Sequence, residues 1–374
     1  MAGCEDHAIP GGGPHTDWLA SLSPWPEDGF GLERMQALLA ALGHPESGLP
    51  AIHVVGTNGK STATRMIEAL LLAEGVVAGA YLSPHVGRWS ERVRVAGREA
   101  DLEAPLGAVR PAAGALRATQ FEVLTATALV AFRAGGVEAG VVEAGLGGRY
   151  DATNVLDGTR VVVLTNVGLD HTDVLGATRE AIAREKLAVT RAACTVVLGE
   201  PEWEAHAREA GAAVVEVVPD GNPLDLARAA TEAFLGRAVD PAPAGAVALP
   251  GRLERRAGEV RDGAHNPDGV DWLVERLRPG RFTLCVSILR DKDADAMLAR
   301  LAALGDTLVA TASSSGRVLA ADELARRARP RFAHVEAVAD PVRALARAHA
   351  LGEPVLVTGS LYLLADLAAA ERAP

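Results

Sequence analysis

Apolar positions along this chain fall into short strand-like runs that alternate with stretches of helical spacing. The runs at residues 52–55, 76–82, 137–142, 160–165, 195–199 and 213–218 read as strands. A second series follows at 282–288, 307–311, 333–338 and 354–358. Helical spacing is clearest where Met66, Ile67, Leu70 and Leu71 follow one another, with Gly75 at the expected C-terminal cap, and where Met35, Leu38, Leu39 and Leu42 recur. It predicts further helices at 120–133, 178–191, 224–235, 268–278, 294–304, 321–329, 341–350 and 361–371. Such alternation predicts parallel or mostly parallel sheets in an α/β fold. The stretch AVDPAPAGAVALPG separates the two series and marks a boundary. Expected, then, are a flexible arm (1–16), a central α/β domain (17–248) and a smaller α/β domain (249–374). Residues 96–118, rich in Ala, Gly and Pro, carry little chemistry.

The polar residues gather where strands end. The run 52–55 leads into Gly56, Thr57, Asn58, Gly59, Lys60, Ser61 and Thr62, and then into the helix. Strand, glycine turn, lysine, hydroxyl and helix form a recipe for holding a nucleotide triphosphate. Backbone N–H groups cradle phosphate oxygens, the lysine reaches the terminal phosphates and a hydroxyl meets magnesium. The general pattern would place its first glycine at Val54, and the plain alternative is a strand–turn–helix with an exposed lysine. Other strand ends carry Ser83, Pro84 and His85; Glu143, followed by AGLGGRYDATN; and Asn166, Gly168, Asp170 and His171. A carboxylate ending a buried strand is costly unless paired or bound to metal, and beside a phosphate loop magnesium is its natural partner. Arg88–Arg94 reads equally as a site edge or a solvated loop, and Arg184, Glu185 and Lys186 read by spacing as a solvated helix face. Phe121 reads first as core. In the second half, Asp262 would hold a ribose hydroxyl and Arg252 a phosphate; the alternative is a turn with an exposed arginine.

Composition narrows the partners. Hydrophobic residues make up 49% and charged residues 23% of 374, as in an ordinary soluble protein. No apolar run approaches the ~18 residues that span a bilayer. The N-terminus has acids and glycines where a signal peptide needs a basic then apolar segment, so a cytoplasmic protein is expected. Three scattered cysteines agree with a reducing compartment. A net charge of −11 argues against nucleic acid or an anionic membrane as partner.

In their order, GTNGK (56–60), SPH (83–85) with ER (91–92), QFEVLT (120–125), VVEAGLGGRYDATN (141–154), LDH (169–171), REK (184–186), PGRLE (250–254), DGAHNP (262–267), DKD (291–293) and TGSLY (358–362) resemble the folate branch of the Mur-type ligases, the dihydrofolate synthase/folylpolyglutamate synthase family. The resemblance implies a P-loop-type ATPase domain followed by a Rossmann-like domain. It implies a monomeric ATP-dependent ligase that adds L-glutamate to dihydropteroate or to a reduced folate through an acyl phosphate.

By motif, Gly56, Thr57, Asn58, Gly59, Lys60, Ser61 and Thr62 match the ATP phosphate loop, and Asn222, Arg252, Asp262 and His265 match further ATP contacts. Ser83, Glu143 and His171 match magnesium ligands, two Mg2+ being expected. Lys186 matches a lysine carbamylated by CO2 to become an anionic ligand, and Lys60, Glu143, His171 and Lys186 form the expected catalytic set. Phe121, Tyr150, Asp151 and Ala152 match positions near the pterin. Three departures stand out. Ser61 replaces a usual glycine; Arg261 replaces an apolar residue, which suggests a more exposed strand end; and the segment between Glu200 and Asn222 is short. A Mur-type ligase for another carboxylate and amino acid, and a non-catalytic nucleotide-binding homologue, are the rival readings.

Overall fold

The strand before the phosphate loop lies at the centre of its sheet, and all five of its residues are buried. The structure is a computed structural model that describes residues 13–26, 29–218, 220–278 and 280–372. The described residues form two compact units that divide between Val247 and Ala248.

The first unit holds strands β1 (Ala51–Val55), β2 (Ala78–Tyr81), β3 (Val93–Val95), β4 (Arg98–Glu99), β5 (Ala139–Glu143), β6 (Thr159–Leu164), β7 (Thr195–Leu198) and β8 (Val214–Val217). Their order is β4-β3-β2-β5-β1-β6-β7-β8. Pairings from β2 through β8 are parallel, while β2–β3 and β3–β4 are antiparallel. Side chains alternate along β1, so Ile52 and Val54 pack in one cluster with Ile67, Leu70 and Leu71 of the Lys60–Ala73 helix. Ala51 and Val55 belong to the other face. The Gln120–Ala134 helix starts at a capping box, in which Thr119 Oγ1 accepts from the Glu122 N–H and Glu122 accepts from the Thr119 N–H.

Two expectations need correcting here, and one stretch takes a form the sequence pattern left open. Residues 1–12 of the expected arm lie outside the described residues, but Pro14, His15 and Thr16 open the helix Pro14–Ala20. Glu103 holds that helix, accepting the His15 and Thr16 N–H groups at 3.1 and 3.0 Å. The Ala/Gly/Pro stretch contains the helix Glu103–Leu116, whose Leu106, Val109 and Ala113 are buried at helical spacing despite an internal Pro111. Arg88–Arg94 is no solvated loop: a 3-10 turn, Trp89–Arg92, feeds β3, and Arg92 is buried.

The second unit holds β9 (Glu254–Arg256), β10 (Glu259–Arg261), β11 (Thr283–Val286), β12 (Thr307–Ala310), β13 (His334–Ala337) and β14 (Val355–Thr358), ordered β13-β12-β11-β14-β10-β9. All pairings are parallel except the β9–β10 hairpin. That hairpin, ERRAGEVR, escapes the hydrophobic pattern because charges fill it. Arg261 is 3% exposed, against the expected open strand end. Its guanidinium pairs with Glu259 at 2.7 Å and with Glu371 on the last helix, Leu361–Arg372, so the charge is neutralised where an apolar side chain would otherwise pack. Among the described residues no helix is long and apolar enough to cross a membrane.

Candidate active site

The turn after β1 is held open by β6. Gly59 sits in the left-handed region (φ 81°) and caps the Lys60–Ala73 helix. A Cβ at Gly56 would collide with the Thr165 hydroxyl. That hydroxyl donates to the Asn58 carbonyl at 2.7 Å. Asn166 accepts the Thr57 N–H with its carbonyl (3.0 Å) and the Asn58 N–H with its side chain (2.8 Å), and the Gly168 N–H donates to Thr57 Oγ1 (2.9 Å). The polar end of β6 is therefore a brace for the loop. Lys60 Nζ folds back on the Gly56 and Thr57 carbonyls at 3.1 and 3.3 Å. The concave loop with a helix N-terminus behind it is suited to phosphate.

Beside it, Glu143 ends β5 and is 1% exposed. Ser61 Oγ donates to one carboxylate oxygen and the Ser83 N–H to the other, each at 3.1 Å. Three segments distant in sequence thus converge on one buried carboxylate. Ser61, the departure in the motif, fits because its hydroxyl has this partner. Ser83 is also approached by Arg92, whose guanidinium donates to Ser83 Oγ (3.4 Å) and His85 Nδ1 (2.8 Å) and lies over Trp89. Sequence spacing does not reveal the burial of Arg92, which closes the 3-10 turn just before β3.

Lys186 is 4% exposed, not part of a solvated face. Its helix, Arg179–Leu187, presses on the glycine loop so closely that a Cβ at Gly148 would meet the Glu185 and Lys186 carbonyls. Lys186 Nζ donates to the Gly56 carbonyl at 2.8 Å, so both lysines meet the same loop carbonyl. Burial, then the nearby Lys60 charge, lowers the Lys186 pKa to about 7, against the pull of Asp170, Asp151 and Glu185. His171 sits at φ 51° at the start of a short turn, Thr172–Leu175, and is exposed.

Tyr150 is 53% exposed on the loop 145–154, and Ala152 is buried. Asp151 points inward, accepting the Leu146 and Thr153 N–H groups at 2.7 and 3.0 Å. Burial raises its pKa while those donors oppose the rise. Phe121 stacks at 6.0 Å from Tyr81 and closes against Gly145, where a Cβ would meet its ring. Phe121 and this loop are therefore neighbours. Asn222 is exposed, and its side chain caps the Pro223–Leu235 helix through the Leu224 N–H (2.9 Å).

In the second unit, Asp262 is buried, and its oxygens accept the Leu253 (2.8 Å) and Ala264 (2.9 Å) N–H groups. Burial raises its pKa, and Arg252 opposes this. Arg252 donates to the Gly251 carbonyl, and His265 Nδ1 lies 2.8 Å from the Gly263 carbonyl. The described residues contain no cluster of three or more His, Cys, Asp and Glu suited to a metal.

A braced phosphate loop on a parallel sheet, followed by a second α/β unit, is the plan of the Mur ligases. The chain matches the Mur ligase middle domain over residues 54–218 and the Mur ligase glutamate ligase domain over residues 251–361. A dihydrofolate synthase/folylpolyglutamate synthase of Escherichia coli is 32% identical, with 95% of this chain and 94% of that protein covered. Escherichia coli FolC, solved in complex with DHPP and ADP, superposes with a TM-score of 0.86 at 29% identity, covering 96% of this chain and 99% of that one. The bifunctional folylpolyglutamate synthase/dihydrofolate synthase of Yersinia pestis, complexed with AMPPNP and Mn, gives 0.86 at 30% identity over 96% and 98%. The chain belongs to the dihydrofolate synthase/folylpolyglutamate synthase family of ATP-dependent ligases. The Escherichia coli alignment spans 404 positions against 374 residues here, so that relative carries segments this chain lacks.

Proposed function

We propose that this protein is a cytoplasmic, monomeric ligase that joins L-glutamate to the carboxylate of dihydropteroate, to the γ-carboxylate of a reduced folate, or to both, with ATP cleaved to ADP and phosphate. The convergence of Ser61 and Ser83 on buried Glu143, beside the phosphate loop, is the observation that carries the reading. ATP phosphates lie along the N–H groups of residues 56–62, and Lys60 leaves the Gly56 and Thr57 carbonyls to meet them. Arg252, Asp262 and His265 of the second unit, with Asn222, serve the rest of the nucleotide. Phe121, Tyr150 and Ala152 face the pterin portion, and Asp151 shapes the loop that presents them. The acceptor carboxylate attacks the γ-phosphorus, ADP leaves, and the glutamate amine then adds to the acyl phosphate and expels phosphate. Positioning and charge screening supply most of the acceleration.

The donor set fits a hard divalent cation. Glu143 and Ser83 offer oxygen, His171 nitrogen, and Lys186 offers oxygen once its neutral amine has added CO2 and lost a proton. Bound Mg2+, in two sites, would screen the anionic phosphates and carboxylate from one another. A buried amine of lowered pKa, enclosed by the glycine loop, is suited to holding such a carbamate.

The test is phosphate release by purified protein with Mg-ATP and L-glutamate, supplied with dihydropteroate or with tetrahydrofolate. Release with either acceptor supports the proposal and assigns the activity; ATP binding without acceptor-dependent release would overturn it.

A further inference from the structure

A fully buried imidazole lies on the strand that feeds the phosphate loop, yet it faces the acceptor loop. His53 is 0% exposed on β1, three residues before Gly56. Its Nε2 lies 2.8 Å from Thr153 Oγ1. The Thr153 hydroxyl in turn donates to Asp151 Oδ1. A hydroxyl has one proton to give, and the carboxylate takes it, so Nε2 must carry the proton of the first bond. His53 Nδ1 is then the bare nitrogen, and it is the atom left without a partner in the structure. The chain of donors runs one way, from His53 Nε2–H through Thr153 Oγ1–H to Asp151. At the next residue, Arg191 donates to the carbonyl and side-chain oxygens of Asn154 at 2.9 and 2.6 Å. Asp151 itself gathers the Leu146 N–H across the turn. The loop that carries Tyr150 and Ala152 is therefore fixed at its C-terminal end to β1 through Thr153 and to Arg191 through Asn154.

We propose that His53 and Thr153 are positioning residues that hold the acceptor loop in register with the phosphate loop, through one continuous hydrogen-bond chain. This rests on the reading that the loop 145–154 flanks the acceptor. Neither residue touches substrate. An apolar side chain at position 53 would leave the Thr153 hydroxyl without the donor that orients it toward Asp151. Loss of the chain weakens acceptor binding, while the ATP loop, braced separately by Thr165 and Asn166, keeps its geometry.

The experiment is steady-state kinetics of Thr153→Val, Thr153→Ser, His53→Phe and His53→Gln against the native protein. Loss of one buried partner is expected to raise the acceptor KM about tenfold or more in Thr153→Val and His53→Phe, with the ATP KM unchanged within about twofold. Thr153→Ser and His53→Gln, which keep a hydroxyl and a neutral side-chain N–H, are expected to restore the acceptor KM to within about threefold. Should His53→Phe not fold, the near-isosteric Thr153→Val decides the matter alone. An unchanged acceptor KM in Thr153→Val, or equal rises for ATP and acceptor that Thr153→Ser does not rescue, would overturn the proposal and leave the network as core packing. A native protein that turns over neither acceptor would instead remove the functional reading, and this inference with it.

Discussion

Two buried carboxylates, Glu143 in the first unit and Asp262 in the second, are held in opposite ways. Glu143 is held by a hydroxyl from the helix after the phosphate loop and by an N–H from the segment after β2. Asp262 is held by N–H groups nine and two residues away, one across the β9–β10 hairpin and one in the turn that follows it. The second arrangement is explained by local folding, since any tight turn must satisfy its N–H groups. The first has no such local need. A long-range meeting of polar groups in a buried place is costly unless something there repays the desolvation. Between these two carboxylates, distance in sequence separates a charge gathered by remote segments from one held by its own neighbourhood.

The sharpest break of that contrast is Glu143→Gln against Asp262→Asn. Glu143→Gln keeps volume and leaves Ser61 and Ser83 with a neutral partner. It is expected to cut turnover by about 10²-fold or more with little change in melting temperature. Asp262→Asn turns one acceptor into a donor facing an N–H, so about 1–3 kcal/mol of stability is expected to go. Parallel kinetics and thermal melts check both. If Asp262→Asn lost turnover as steeply with no loss of stability, the contrast would be wrong.

Lys186 sharpens the same comparison, because it too bonds across a long sequence separation. Native protein in CO2-stripped buffer is expected to lose at least about tenfold in turnover, with bicarbonate restoring it, and Lys186→Ala is expected to be inactive in both. Labelled bicarbonate should give a carbamate resonance in the native protein that Lys186→Ala lacks. Equal activity with and without CO2 would rule the carbamate out.

The second unit buries the Arg261–Glu259 ion pair, and stability is its expected role. Arg261→Ala takes from buried Glu259 its nearest partner, leaving His349 at 3.3 Å and Arg256 at 3.9 Å, and is expected to cost about 1–3 kcal/mol in denaturant unfolding, with KM values unchanged. Arg261→Met together with Glu259→Leu should recover most of that loss, since an apolar pair replaces the ionic one. A KM shift in Arg261→Ala would place this residue in the site instead.

These contrasts mark what the sequence could convey. The α/β alternation and the phosphate loop were legible because both are local: strand runs, glycines, a lysine and a helix follow one another. The hairpin of β9 and β10 was not, since ERRAGEVR pairs charges that no hydrophobic period records. Helix Glu103–Leu116 was hidden by Gly and Pro, although Leu106, Val109 and Ala113 kept its period. Lys186 read as a solvated helix face because its burial depends on Gly148, a residue far away in sequence that lets two backbones approach. Arg261 read as a sign of exposure because its partner Glu371 lies on the last helix. Only the resemblance to a family, not the spacing, picked out Lys186.

The last effect concerns His53, and it separates stability from chemistry. Burial, with Arg191 adding to it, lowers the His53 pKa from 6.5 to about 3. The unfolded chain therefore binds a proton on this residue more readily than the folded one. Above pH 6.5 the group is neutral in both states and contributes nothing. As pH falls from 6.5 toward 3, it removes about 1.4 kcal/mol of stability per pH unit. His53→Gln cannot titrate, so its unfolding free energy should fall less steeply between pH 6.5 and pH 4.5, while turnover at pH 7.5 stays near native. Urea midpoints of the two proteins across that range give the difference directly. Identical slopes would mean that His53 takes up a proton on Nδ1 as readily in the folded chain as in the unfolded one. The acid slope thus tests whether buried Nδ1 stays bare in the folded protein.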